Sequence, residues 1–540
     1  VDCGDPEGEE SVPGIGEAGG TEELMEVLGP NPDSTMRFMT DLFQKRSAEV
    51  EQAATGEEFR KLAQLRLRVG ERSLNGVYDV LTGRINTGSQ SSWANFHSGA
   101  RNIVTSAFLG SSMFSAIADA AFGLTTSLFN GIPPMRVLGR HLTMMNPLAS
   151  RDRALAVRTG FGAQGWASIA IGQERIMGEM LGPAWTRRVA DTTLRLSWLS
   201  PWTETGRWSW GLEALGYVTD NAHLRFDGLN NAFRNALEMH GIGAKEWDII
   251  RSTKAFVDEE SGAKLIRPQD MVRMGGEAKD VGIKLHEWIL TEGEFAVPTT
   301  TPYVRALTTG TLEAGSFWGQ IIRDAMLFKS FPLTMVNTHL LRLAAMDNKG
   351  TAAAMFAQLF ISTAVMGVLG EQMSQIAMGR DPVTMDYEDP AGRKLLMKGL
   401  LRGGGIGIFG DFLFADQNRY GGGILETLAG PIFGTTTPDF FRVTVGNLQK
   451  MVGDEKTNFS PEMIRFAHQL FPGRSLWYAR LAFERWVVDN LQRMADPQAE
   501  RRFARMERRI RRETGQEYFS PPGSRFPPRR GPRLSEAIAR

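Results

Sequence analysis

Between Lys349 and Glu371 the chain carries no charged side chain, and an interval of that length is close to the roughly 20 residues a helix needs to cross a ~30 Å hydrocarbon layer. Few chains can place such a stretch without covering it, either with their own core, with a partner or with lipid. Its composition is mild for a membrane anchor: Gly350, Ala352, Ala353, Ala354, Ser362, Thr363, Ala364 and Gly367 dilute the Leu, Ile, Val and Phe that dominate stable single spans. Small residues do let helix backbones approach closely inside a bilayer, where packing replaces hydrophobic drive. Two readings therefore fit, a buried core helix of a large soluble domain and a membrane-competent helix. In the second, Met355, Phe356, Leu359, Phe360 and Val365 are the side chains offered to membrane or partner.

A second low-charge block spans 102–135, where Asp119 is the only charge. It suits two apolar helical segments meeting near Gly123, or one long span with an acid inside it. A carboxylate within a membrane segment is costly and faces a bundle interior or water, whereas in a soluble core Asp119 would cap or pair. Phe108, Met113, Phe114 and Ile117 are the contact candidates here. A Gly-rich segment at 400–433 supplies Ile408 and Phe409, and reads as a bendable piece that re-enters a membrane or packs tightly between helices.

Long β-type alternation is scarce, so the fold expected is mostly α, an elongated multi-helix assembly protein with low-charge Gly/Ala-rich helices and a minor β or irregular region. At 540 residues there is ample chain for a core. The pattern divides it into an acidic arm at 1–34, amphipathic helices at 35–101, the apolar block at 102–135, a Trp-rich helical region at 136–254 and a mixed region at 255–316. The apolar helix with its Gly-rich block follows at 317–433, then C-terminal helices at 434–497 and an Arg-rich tail at 498–540. AFVDEESGAKLIRP is the candidate hairpin, and FAVPTTTPYVRALTTGT reads as an extended, Pro-broken connection before a helix over Phe317–Leu343. SWLSPWTETG reads as a turn that ends one helix at Pro201 and begins another at Thr203, and the charged stretch from Lys245 to Glu294 as solvated. The Trp-rich segment fits a bilayer-surface belt or helix–helix packing.

Net charge is zero, but its distribution is lopsided. Residues 1–34 hold Asp and Glu with no Lys or Arg, in a Gly/Pro-rich context that cannot offset its ordering entropy, so an arm or disorder is expected there. The tail carries twelve Arg against five Glu. Guanidinium groups neutralise phosphates and release counterions without reading sequence, so Arg501, Arg502, Arg505, Arg508, Arg509, Arg511, Arg512, Arg529 and Arg530 are candidate contacts to nucleic acid or lipid. The acidic arm of a neighbouring copy is a third target.

Catalytic signatures are thin. Gly405-x-Gly407-x-x-Gly410 matches the dinucleotide fingerprint letter for letter, yet lacks the strand before it and the helix after it that would aim amides at a pyrophosphate. No HExxH, Walker loop or GxSxG occurs, and the seven His are dispersed without metal-ligand spacing. Cys3 is the only cysteine, which excludes an internal disulfide and a thiolate cluster. No cofactor, metal or small-molecule substrate is expected. The chain begins at Val1 with no signal-peptide pattern, as a processed product or a fragment would.

Leu327-Phe328-Lys329-Ser330-Phe331-Pro332, the small-residue helix, Gly379-Arg380-Asp381-Pro382, Gly404-x-x-Gly407-x-x-Gly410-Asp411 and Leu428-Ala429-Gly430-Pro431 follow one another in an order that resembles the C-terminal part of large internal virion proteins of tailed, short-tailed bacteriophages. The likeness continues upstream through Phe108-Leu109-Gly110 to Ala118-Asp119 and through Ser197-Trp198-Leu199-Ser200-Pro201-Trp202-Thr203, covering roughly 100–435. Such proteins are ejected with or before the genome. The resemblance implies storage in the virion interior, then the host periplasm and inner membrane, and a role in a conduit for the genome. It implies as partners a homo-oligomeric ring, other ejection, core or portal proteins, phage DNA and the host inner membrane. A soluble scaffold of an internal core or portal-associated ring is the alternative. Some ejection proteins carry a lytic transglycosylase with a lone catalytic glutamate; Glu292 and Glu294 read as loop residues and Glu371 as following the apolar helix, so an envelope-degrading enzyme is not expected.

Overall fold

The computed structural model describes residues 75–80, 82–146, 150–159, 181–310, 312–346, 348–386, 388–403 and 459–537. The acidic arm, most of the 35–101 segment, the Gly-rich block from 404 with Ile408 and Phe409, and 434–458 lie outside them. Within the described residues the fold is mostly α-helical, with a single two-residue hairpin.

Helix α1 (Ser92–Phe108) opens on a Ser91 hydroxyl that accepts from the Ala94 amide at 3.2 Å, one of the orphan donors every helix start must satisfy. The helical path then continues through a 3₁₀ turn at Leu109–Ser111, α2 (Ser112–Ala116), a second 3₁₀ turn at Ile117–Asp119 and α3 (Ala120–Phe129). The irregularities fall at Gly110 and Asp119, and Gly123 sits inside α3. The cause at Gly110 is tertiary. Its amide donates to the Ser475 hydroxyl at 2.9 Å, that hydroxyl donates to the Ala107 carbonyl, and the Gly473 amide takes the Ser106 carbonyl at 3.0 Å. A Cβ at position 110 would lie 2.5 Å from the Leu476 nitrogen, so only glycine admits the 473–477 turn.

The largest core surrounds α6 (Leu199–Asn221), which packs between α4 (Pro134–Met144), α3 and α10 (Gly276–Ala296). α5 (Ala184–Leu196) lies against α1 and α9 (Pro268–Met274) against α10, and α7 (Asn231–Met239) and α8 (Ala244–Ser252) close one end. Trp210, Trp247 and Trp288 are fully buried there, and each indole N–H donates to an oxygen, the Ile289 carbonyl, the Leu224 carbonyl and the Asn130 side chain respectively. Burying an indole is favourable only when its N–H keeps a partner. Among its described residues the Trp-rich region is thus largely helix packing, although Trp185 and Trp198 remain exposed.

Several local expectations are corrected. The break before α6 comes at Trp198, whose φ is +68°, and Pro201 sits in the first turn of α6, where a missing amide costs nothing. Pro302 begins a helix, α11 (Pro302–Thr309), with the Thr301 hydroxyl capping the Val304 amide, rather than breaking one. The helix expected over Phe317–Leu343 is interrupted: α12 (Phe317–Ala325) ends before Phe328, which adopts φ +69°, and helix resumes at Ser330. The stretch from Lys245 to Glu294 is only partly solvated, since Trp247, Ile250, Leu285, Trp288 and Ile289 are core residues and Asp258 and Glu292 are buried charges.

The hairpin expected in AFVDEESGAKLIRP forms: β1 (Phe256–Val257) pairs antiparallel with β2 (Lys264–Leu265), turning at Gly262 with φ +70°. Asp258 fixes the turn by accepting from the Ser261 amide and hydroxyl.

Candidate partner-binding surfaces

The uncharged stretch forms α13 (Lys349–Ala377), 29 residues long, or about 43 Å at 1.5 Å per residue. Asn348 caps it by accepting from the Thr351 amide, and Lys349 reaches back to the Ala344 and Met346 carbonyls. One face is seated: Leu359, Thr363, Ala364, Gly367 and Val368 are buried, and Thr125 donates to Gln358 across to α3. The opposite face is not. Phe356, Ile361, Val365, Leu369 and Met373 are exposed by 43 to 60 %, Ala357 lies exposed among them, and Ala353 and Ala354 are exposed just before them. From Ala357 onward the spacing is four residues, one side of a helix. A continuous apolar row of this kind on a protein surface marks an interaction site.

α14 (Pro390–Gly403) covers part of the seated face. Gly399 allows that approach, because a Cβ there would stand 2.8 Å from the Val368 nitrogen. Towards its end α13 turns polar: Glu371, Gln372, Ser374 and Gln375 are buried, with Gln372 bound to both backbone groups of Val383 and Gln375 donating to Glu371. Glu371 is therefore a member of α13 and not a residue beyond it.

By length and composition the run Ser92–Phe129 could also cross a membrane, but half of its apolar window is buried against a third for α13. Charged groups hold it inside the molecule. Arg101 donates to Asp324 at 2.6 Å and to Gln320 at 2.8 Å, and His97 bonds the other Asp324 oxygen, all of them buried. Asp119 is buried as well. Phe114 is in the core, while Phe108, Met113 and Ile117 are half-buried against core clusters. On α13, Leu359 is buried, Met355 and Phe360 are half-buried, and Phe356 and Val365 are exposed. Ile361, Leu369 and Met373 complete the exposed row and were passed over by sequence reading, though their four-residue spacing from Val365 was visible in it.

The Arg-rich tail forms α16 (Ala499–Thr514) after α15 (Phe459–Leu470) and the helical run Arg480–Ala495. Its arginines divide into two groups. Arg502 pairs with Asp496, Arg509 with Glu513 and Arg511 with Glu517. Arg530 is taken by Asp381, a carboxylate with 1 % of its side chain exposed. Burial alone would raise the Asp381 carboxyl; hydrogen bonds from Arg530 and the Arg533 amide, with their charge, hold it below the usual range. Arg501, Arg505, Arg508 and Arg512 are exposed and form no ion pair among the described residues, Arg505 Nε donating only to the Arg501 carbonyl at 3.3 Å, and Arg525 and Arg529 are exposed beyond them.

Glu292 and Glu294 belong to α10, not to a loop. Glu292 is 1 % exposed and engaged by Arg342 and the Asn130 amide, with the His240 imidazole 3.6 Å away. Burial pushes its carboxyl up, but His240, Arg342 and Asn130 together outweigh burial and hold it below its ordinary value. A carboxylate held ionised in this way lacks the raised proton affinity that a general acid needs. Among the described residues no group of three His, Cys, Asp or Glu side chains converges on a metal position.

Comparison with known protein families, with curated proteins and with solved structures returns no match.

Proposed function

We propose that this chain is an internal virion protein of a tailed bacteriophage, stored in the particle and contributing after ejection to a conduit for genome passage across the host envelope. One observation supports the reading: α13 keeps its small, polar-edged face for the rest of the fold and turns an uncharged row, Phe356 to Met373, outward. Against other copies in a ring that row is a packing surface, and against lipid it is a membrane face. Transfer of its large side chains out of water is worth about 1–2 kcal/mol each.

The test is flotation of the purified chain with liposomes, together with dye leakage. Wild type is expected to float and to release dye. The variant carrying I361D, V365D and L369D, each charge costing about 3 kcal/mol in the centre of a bilayer, is expected to do neither while melting like the wild type, since the altered side chains are exposed. Absence of vesicle association by the wild type overturns the membrane role.

A second reading, a soluble helical scaffold of an internal core or portal-associated ring, draws on the burial of α1 to α3. Its signature is a wild-type oligomer in sedimentation that never associates with vesicles and that the same variant breaks into monomers.

A further inference from the structure

The face of α16 that carries Arg501, Arg505, Arg508 and Arg512 has the layout of a polyanion track. Their spacing of four, three and four residues places them within an arc of about 60° at 3.6 residues per turn. The arc lies nearly opposite Phe503 and Ala499, which are buried and fix the helix to the body of the protein. Arg502 adds a lateral anchor through Asp496 at 2.9 Å. The row is therefore held on a regular helix.

Acids are kept off this face. Glu500 is drawn aside by Arg493 at 2.6 Å, Glu513 by Arg509 at 2.7 Å, and Glu507 lies towards the buried side of the helix. Arg501 to Arg512 covers about 16 Å along the axis, close to the rise of five nucleotides on one strand of duplex DNA at about 3.4 Å each.

From this geometry we infer that the Arg501–Arg505–Arg508–Arg512 row binds the phosphate backbone of duplex DNA without reading its sequence. Lipid is the poorer occupant: an interfacial helix needs an apolar side to sink beside its cations, and here that side, Phe503 and Ala499, is already docked. The inference stands on α16 alone and survives failure of the membrane reading.

The experiment measures binding of the full chain to a mixed-sequence duplex of about 25 base pairs by fluorescence anisotropy between roughly 50 and 200 mM salt. Four phosphate contacts predict a slope of log K against log salt of about −3.6. The variant R501Q/R505Q/R508Q/R512Q is expected to flatten the slope to below about 1 in magnitude, and the four-Lys variant to keep most of it. R509Q/R511Q, which touches only paired arginines, is expected to bind like wild type. The inference is overturned if wild type ignores the duplex, or if the four-Gln variant keeps the wild-type slope. It is equally overturned if the four-Gln change instead abolishes capture of anionic vesicles or of a peptide of residues 1–34 and leaves DNA binding unchanged.

Discussion

His141 and His339 show how strongly burial acts on a single side chain here. His339 donates from Nε2 to the Phe295 carbonyl at 2.9 Å, and His141 donates from Nε2 to the Trp202 carbonyl at 3.0 Å. Burial lowers each pKa to about 4, although the carbonyl bond opposes it, and at His339 Arg342 lowers and Glu292 raises the value further. Both rings are neutral in the folded protein. The unfolded chain takes up protons below about 6.5 and the folded protein only below about 4, so these residues stabilise the fold fully at neutral pH and progressively less as pH falls through that window. The loss between pH 7 and pH 5 is expected to be about 2 kcal/mol for each ring, read as a drop in denaturation midpoint. The H141Q/H339Q variant, which can keep a donor at each carbonyl, should show a much flatter dependence. Nothing in the neighbourhood of either histidine in the sequence announces this. Phe295 and Trp202 lie 44 and 61 positions away, and burial by distant chain is invisible to local pattern.

Helices were legible as elements because 3.6-residue spacing survives whatever the chain packs against. The absence of charge that announced α13 gave its place between Lys349 and Glu371 but not its end, since the helix runs on through buried polar residues to Ala377. Which side of it faces outward was less legible, since an all-apolar helix carries little amphipathic signal to orient it. Two glycines illustrate how packing resolves such helices. Gly399 lies where a Cβ would press on the Val368 backbone, so Gly399→Ala is expected to destabilise the protein by about 1–3 kcal/mol through overpacking. Gly139, also within a helix, meets nothing within 4 Å, and Gly139→Ala is expected to stabilise by roughly 0.5–1 kcal/mol. Opposite shifts in chemical denaturation would separate contact from propensity; equal shifts would show that the α13–α14 seam yields freely. Phe328 with its positive φ belongs to the same lesson. It interrupts an apolar pattern that reads as helix, and it does so where Leu327 packs on Val104 and Leu470 comes in from the C-terminal region.

Across the whole chain the described parts are knit together by joins between distant segments. The turn at 473–477 clasps the irregular helix at Ser106–Gly110, and the Gly379-Arg380-Asp381 corner receives the last segment. The Gly379 carbonyl accepts from the amides of Phe519 and Ser520, the Asp381 amide donates to the Glu517 carbonyl, and the Asp381 carboxylate grips Arg530 and the Arg533 amide. Asp381→Asn removes the charge but keeps the shape. It is expected to cost about 1.5–3 kcal/mol and to accelerate tryptic cleavage at Arg525, Arg529, Arg530 and Arg533 several-fold over wild type, with α16 itself still protected. Unchanged cleavage would mean that the backbone bonds hold the segment unaided.

Spacing and composition were enough to establish a mostly helical chain, the place of its uncharged helix, the hairpin and the helical run of arginines after Pro497. All of these are written in residues close together in sequence. Tertiary packing alone decided that α1 to α3 are drawn inward while one side of α13 is left outward, and that Arg530 is consumed by Asp381 while Arg501, Arg505, Arg508 and Arg512 stay open. Those outcomes hinge on pairs separated by a hundred residues or more, Arg101 with Asp324 and Asp381 with Arg530 among them. The cost of leaving a buried charge without its partner selects such pairs, and that cost exists only once the chain has closed around them.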